Sequence, residues 1–250
     1  MRNIILFLFL LPLMAYGQTY KYIGVEDGLS NRRIYNIQKD RQGYMWFLTS
    51  EGMDRYNGHD IRHYKLIEAN RELNSEVNLG WLYADKKGGK KGRIFRYEEK
   101  YDHFKMVYKL PEATDVINYG YMDHNSTIWL CSKDSILLYN TETTQTTQFP
   151  NVLDDDITVV EQTDDNHFFI ATEMGVRYTQ LDKGTLHIIP LETLDNVYTQ
   201  INGLYFHRQL QRLFIGTFSD GTFAYDMSTQ KIIKSDTALG DVSITHIRPL

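Results

Sequence analysis

The sequence predicts an all-β chain folded as a β-propeller of four-stranded antiparallel blades: about five blades and the start of a sixth, within a larger propeller. Three observations carry this. Similar segments recur about every forty residues. Two of them share matched offsets, with Asp to Trp six positions apart (Asp40 to Trp46, Asp123 to Trp129) and Trp to Tyr ten (Trp46 to Tyr56, Trp129 to Tyr139). Each unit also divides into four short apolar-rich pieces separated by Gly, Asp or Asn turns. That period and strand count are those of propeller blades, which hide their apolar faces against one another. A β-sandwich would not repeat one turn and one aromatic at matched offsets, and a β-helix has a shorter coil.

The first unit (30–66) gives strands at Ile34–Lys39, Met45–Thr49, Met53–Tyr56 and Ile61–Lys65, with turns at Asp40–Gly43 and Glu51-Gly52. The second (74–109) is degenerate: Trp81 opens it, Lys86 to Arg93 interrupt it, and Ile94-Phe95-Arg96-Tyr97 resume. The third (114–149) is the second clear copy, with Ile128-Trp129-Leu130-Cys131-Ser132 and Ile136-Leu137-Leu138-Tyr139. The fourth (155–190) puts Phe169 in the Trp place, and the fifth (198–235) puts Phe214 there. A sixth begins at 242 with Ile244-Thr245-His246-Ile247. Trp46 and Trp129 are expected as blade core. Asp40, Asp123 and Asp164 are expected to accept backbone hydrogen bonds in their hairpin turns. Cys131 lies two residues after Trp129, hence on the same strand face, and reads as a small buried apolar residue.

At the N-terminus Arg2 precedes an apolar run from Ile4 to Met14, then Ala15-Tyr16-Gly17 and Gln18. This pattern predicts a signal peptide over 1–17, cleaved after Gly17, because a membrane anchor needs nearer twenty apolar residues. The remainder, 18–250, is then exported as a propeller domain. The chain has 27 Lys and Arg against 32 Asp and Glu, and losing Arg2 leaves 26 against 32, a net charge of -6. An exported acidic domain is not expected to bind nucleic acid. With one Cys it has no internal disulfide, so blade packing must hold it.

The first unit resembles the two-component regulator propeller repeat. Gly28-Leu29-Ser30, Ile34, Asp40, Gly43, Met45-Trp46, Thr49, Gly52-Met53 and Arg55-Tyr56-Asn57-Gly58 match its consensus, and the weaker units extend the likeness over nearly the whole mature chain. The resemblance implies the periplasmic sensor part of a bacterial hybrid two-component regulator, many of which detect products of carbohydrate breakdown. It also implies a membrane span, a histidine kinase and a response regulator downstream in a longer chain. A homodimer is left open. The second unit lacks the Asp-x-x-Gly turn, and the fourth and fifth lack Trp.

Catalytic chemistry is not expected. Gly-x-Ser-x-Gly, Walker-type loops and paired Cys-x-x-Cys are absent, and no pair of carboxylates stands out as a glycosidase pair. His59 and His63 are four apart, which on one strand separates them by roughly 13 Å, too far to share a metal. Neither metal nor cofactor is expected. Asp154-Asp155-Asp156 reads as a solvated loop, with Ca²⁺ ligation as the alternative. Lys86 to Arg93 reads as a flexible inter-strand loop, with an anionic saccharide contact as the alternative. Asn125-Ser126-Thr127 reads as turn chemistry. Loops that enter the first strand of a blade, or join its second to its third, share one face. They nominate Arg32, Arg33, Glu51, Asp134, Asp154, Asp155 and Asp220 as ligand contacts, with Trp81 as a further aromatic candidate. The expected function is ligand sensing, of an oligosaccharide by preference. A stand-alone carbohydrate-active enzyme or a binding scaffold is the alternative.

Overall fold

The first hairpin of a blade is fixed by one aspartate. Asp40 accepts the backbone N–H groups of Gln42 and Tyr44 on Oδ1 (3.0 and 2.9 Å), and the indole N–H of Trp46 on Oδ2 (2.7 Å). Asp123 repeats this with Asn125, Thr127 and Trp129 (2.9, 2.8 and 2.9 Å). One carboxylate thus closes the turn and pins the large core ring six residues on, which is why the offset recurs. Where Phe169 replaces Trp, Asp164 keeps the backbone N–H groups of Asn166 and His167, and the His167 imidazole takes the place of the indole. All three aspartates therefore play the turn role expected of them.

The computed structural model describes residues 21–40, 42–49, 51–64, 67–68, 71–72, 74–78, 81–86, 89–110, 117–195 and 199–234. The expected signal peptide (1–17) and sixth unit (from 242) lie outside the described residues. The first blade is β1 (Ile34–Lys39), β2 (Met45–Thr49), β3 (Gly52–Tyr56) and β4 (Ile61–Tyr64), followed by a small ribbon of β5 (Ile67–Glu68) and β6 (Arg71–Glu72). The second is β7 (Asn74–Asn78), β8 (Trp81–Lys86), β9 (Gly89–Glu98) and β10 (His103–Lys109). The third is β11 (Tyr119–Met122), β12 (Thr127–Cys131), β13 (Ser135–Asn140) and β14 (Thr146–Pro150). The fourth is β15 (Ile157–Gln162), β16 (His167–Thr172), β17 (Gly175–Asp182) and β18 (Thr185–Ile189). A short helix α1 (Glu192–Asp195) leads to the fifth: β19 (Ile201–His207), β20 (Arg212–Thr217), β21 (Thr222–Asp226) and β22 (Lys231–Lys234). Each blade is a four-stranded antiparallel meander in sequence order, and the first strands of successive blades adjoin. The chain is an all-β propeller, as its sequence predicts.

Blades interlock through the alternation of strand faces. The Trp46–Leu48 face of blade one packs on Phe95, Tyr97 and Phe104 of blade two. In the same way the Trp129–Cys131 face of blade three meets Phe168 and Ile170 of blade four, and the Phe169–Ala171 face of blade four meets Leu213 and Ile215 of blade five. Cys131 is fully buried, as its place in the strand requires.

The segment before the first blade docks by hydrogen bonding. Gly28 turns at φ 107°, a conformation glycine adopts without strain, and delivers Ser30 to the sheet. The Ser30 N–H and Oγ both donate to Oδ2 of the fully buried Asp54 (2.7 and 2.9 Å), whose Oδ1 meets His63 Nδ1 at 2.6 Å. His63 is thus a packed histidine.

The basic run differs from its expectation. Lys86 closes β8, Gly89 opens β9, and the two are paired, so the run folds as a hairpin of extended strands. Backbone pairing of Ala84 with Arg93, and of Arg93 with Lys109 in β10, draws these residues into the sheet despite their charge, and Arg93 is buried. Lys87 and Gly88 lie outside the described residues.

Candidate functional site

The turns between first and second strands of blades three, four and five border an open cavity of about 830 Å³. Blade three supplies His124. Blade four supplies Glu161 and Gln162 at the end of β15, with Asp164 and Asp165 in the turn. Blade five supplies Tyr205, His207 and Arg208.

Side chains knit these turns together. His124 N–H donates to Gln162 Oε1 (2.6 Å), and Asn125 Nδ2 to the Asp165 carbonyl (2.7 Å), joining blades three and four. Glu161 Oε1 accepts the Phe206 N–H (2.8 Å), joining four to five. Arg208 Nη2 meets His124 Nδ1 at 2.9 Å, spanning blade four to join five to three. The Tyr205 ring lies parallel to Phe214, and edge-on to the His207 ring at 6.1 Å.

Burial pushes the Glu161 carboxyl up to about 6, against the Phe206 N–H and the Arg208 guanidinium, which pull it down. Burial also raises the neighbouring Tyr121 hydroxyl, with the Glu161 charge adding to the effect. Asp164 behaves oppositely: burial would raise it, but the His167 imidazole and the turn N–H groups outweigh that and lower it. The cavity therefore offers carboxylates, imidazoles, a guanidinium and a phenol ring within one concave surface, which suits a polar ligand with many hydroxyl groups.

The raised Glu161 carboxyl has a stability consequence. A folded-state pKa above the unfolded value means the contribution is fully present below about 4.5 and is lost as pH rises through about 6. Glu161→Gln is therefore expected to match the wild type near pH 4.5 and to exceed it by about 2 kcal/mol at pH 7.5, on about 1.36 kcal/mol per pKa unit. Urea titrations at the two pH values check this; equal stability of both proteins at pH 7.5 would contradict it.

The residues nominated from sequence lie at the other end of the strands. Arg32 and Arg33 precede β1, Glu51 joins β2 to β3, Asp134 joins β12 to β13, Asp154 and Asp155 precede β15, and Asp220 joins β20 to β21. Antiparallel pairing sets that end opposite the cavity. Some of them are joined there: Asn151 donates to the Asp134 carbonyl (3.0 Å) and to the Asp155 carbonyl (2.9 Å), while Asp155 Oδ2 accepts the Met174 N–H (3.2 Å). Asp220 accepts the Thr199 hydroxyl (2.6 Å) and stands apart in blade five. Among the described residues no three His, Cys, Asp or Glu side chains are grouped to hold a metal ion. Trp81 starts β8 at the cavity end of its blade, and its side chain lies outside what is described. Three of the cavity residues missed by the sequence reading share one signal. His124, Asp165 and Arg208 each directly follow the turn residue of their unit: Asp123, Asp164 and His207.

Comparison with known proteins agrees with this architecture. Residues 28–51 match the family model described as two component regulator propeller, so the chain carries that repeat. No curated protein matches the chain. Among solved structures, the extracellular domain of a putative hybrid two component system from B. thetaiotaomicron aligns at TM-score 0.61 and 18% identity. It covers 85% of this chain and 31% of the other. A second such domain from B. thetaiotaomicron aligns at 0.60 and 20% identity, over 85% of this chain and 28% of the other. Sqt1 from Saccharomyces cerevisiae aligns at 0.59 and 12% identity, over 80% and 61%. The chain thus spans less than a third of the length of the first two. Among the described residues no helix is long and apolar enough to cross a membrane.

Proposed function

We propose that this chain is the ligand-sensing propeller of an exported hybrid two-component sensor, acting in the periplasm and coupled to kinase domains further along a longer chain. The matched repeat and the similarity in fold to extracellular domains of putative hybrid two component systems support this reading. The ligand we assign is an oligosaccharide, held in the cavity of blades three to five. One observation carries the assignment: the cavity combines an aromatic ring, Tyr205, with convergent polar groups from three blades, Glu161, His124 and Arg208. Sugars are bound by that combination, with ring C–H groups on an aromatic face and hydroxyl groups between carboxylate acceptors and guanidinium or imidazole donors.

Titration calorimetry of the chain against a glycan panel tests it. Arg208→Ala, an exposed substitution, is expected to weaken a bound oligosaccharide at least tenfold. Absence of any glycan binding, or equal affinity in the variant, overturns the assignment. A second reading rests on Glu161: a carboxyl raised toward neutrality is what a general acid needs. We assign the segment no catalysis, and turnover of a bound glycan that is lost in Glu161→Gln would favour a carbohydrate-active enzyme instead.

A further inference from the structure

The charges that line the cavity do not balance. Glu161, Asp164 and Asp165 bring three carboxylates against the one guanidinium of Arg208, and that guanidinium is turned to His124 Nδ1 at 2.9 Å. Asp164 is compensated on its own turn, where it accepts the N–H groups of Asn166 and His167 and meets His167 Nδ1 at 2.8 Å. Glu161 is not. Its carboxylate accepts one hydrogen bond among the described residues, from the Phe206 N–H, and no described cation lies within ion-pair distance, so Arg208 acts on it only from farther off. The Asp165 carboxylate has neither a hydrogen bond nor an ion pair among the described residues, since Asn125 and Gln162 both donate to its backbone carbonyl. Burial has pushed the Glu161 carboxyl up to about 6, as it does for a desolvated charge without a close counter-ion.

From this imbalance we propose that the cavity takes a positively charged ligand, and that the oligosaccharide assigned to it above bears free amino groups. The sugar half of this rests on that assignment, and the charge rests on the cavity alone. A hydroxyl group donates to a carboxylate oxygen but leaves its negative charge in place, whereas an ammonium group supplies the donor and the counter-charge together. The difference counts most for Glu161, because a carboxylate withdrawn from water is costly until it is paired. A concave wall of one sign also concentrates ions of the other. Tyr205 adds an aromatic ring to the same cavity, and such a face attracts cations as well as sugar C–H groups. Among the described residues no three His, Cys, Asp or Glu side chains group to hold a metal ion, so the cation that fits is an organic one.

Titration calorimetry of the chain at pH 6.5, where both amines and Glu161 carry charge, tests it with three probes. They are a tetramer of β-1,4-linked glucosamine, cellotetraose, which has hydroxyl groups in place of the amines, and spermidine, a cation without a sugar ring. The amino tetramer is expected to bind at least tenfold tighter than cellotetraose, and that ratio is expected to collapse between about 0.05 M and about 0.5 M salt. In the double variant Glu161→Gln, Asp165→Asn, which keeps acceptors without the charge, the ratio is expected near one. In Arg208→Ala both affinities fall but the ratio rises, since the cavity loses its own cation. Cellotetraose binding as tightly as the amino tetramer overturns the charge inference and leaves the oligosaccharide reading standing. A ratio that survives the double variant, or does not rise in Arg208→Ala, overturns it too. Spermidine binding that is lost in the double variant, with neither glycan bound, upholds the charge inference and ends the oligosaccharide reading. If none of the three probes binds, both fall.

Discussion

Trp129→Ala is expected to lower stability by about 3–5 kcal/mol, the range for deleting a large buried aromatic. The side chain is fully buried between blades three and four, with its ring 4.6 Å from Phe168 and edge-on to Tyr121. Alanine opens a cavity in that inter-blade cluster and also strips the indole donor from Asp123 Oδ2, leaving a buried carboxylate with its turn N–H groups alone. Trp129→Phe separates the two effects. It keeps most of the volume and loses only the indole bond, so its cost is expected near 1–2 kcal/mol. Blade four shows why the smaller cost is tolerable: with Phe169 at the matching position, Asp164 recruits His167 as its substitute donor. Urea unfolding of the three proteins checks this, and a loss below 1 kcal/mol for Trp129→Ala would show that the inter-blade cluster relaxes around the gap.

What the sequence made legible follows from how local each interaction is. The Asp40–Trp46 and Asp123–Trp129 bonds span six residues, so selection for one geometry leaves one spacing, and the blade could be read from it. The interlocking faces were legible too, because alternation along a strand fixes which residues meet a neighbouring blade. In blade two the turn aspartate is absent, and composition there misled: lysines and glycines that look like a loop are carried into a hairpin by backbone pairing, which is indifferent to side-chain charge.

The cavity was not legible, for the opposite reason. Arg208 and His124 lie 84 residues apart and meet only because three turns converge, and their place beside a turn residue does not say that they meet. Choosing the loops at the other end of the strands was a choice of face that the repeat pattern leaves open. The turns that do build the cavity were visible in the sequence, but as architecture. In blades three and four their aspartates carry the fold, and the cavity chemistry comes from residues on either side of the turns, Glu161 and Tyr205 before them and His124 and Arg208 within them.

Asp102→Asn is expected to cost about 2 kcal/mol, because this carboxylate joins blades one and two. It sits in the turn between β9 and β10 with φ 50° and receives Arg55 Nη1 at 3.0 Å, Arg62, and the hydroxyls of Tyr64 and Tyr97. Arg55 is 15% exposed and is enclosed by rings of Tyr44, Trp46, Tyr64 and Tyr97, the nearest centroid at 4.7 Å, so its charge has little access to water. Burial alone would raise the Asp102 carboxyl. The two hydroxyls and two guanidiniums outweigh it and hold the group below the usual carboxylate range. A depressed pKa places the stabilisation above pH 3.8, to be lost as pH falls through the lower folded value. Asparagine tolerates the left-handed backbone and still accepts from the tyrosines, so its cost isolates the charge. Alanine removes every acceptor, leaves the enclosed guanidinium without its carboxylate and adds backbone strain, for a total of about 3–4 kcal/mol. The two losses should therefore rank alanine above asparagine at pH 7, and the asparagine deficit should shrink as pH falls below 3.8. If the two variants instead unfold at the same urea concentration as the wild type at pH 7, the first two blades are held by their apolar faces alone.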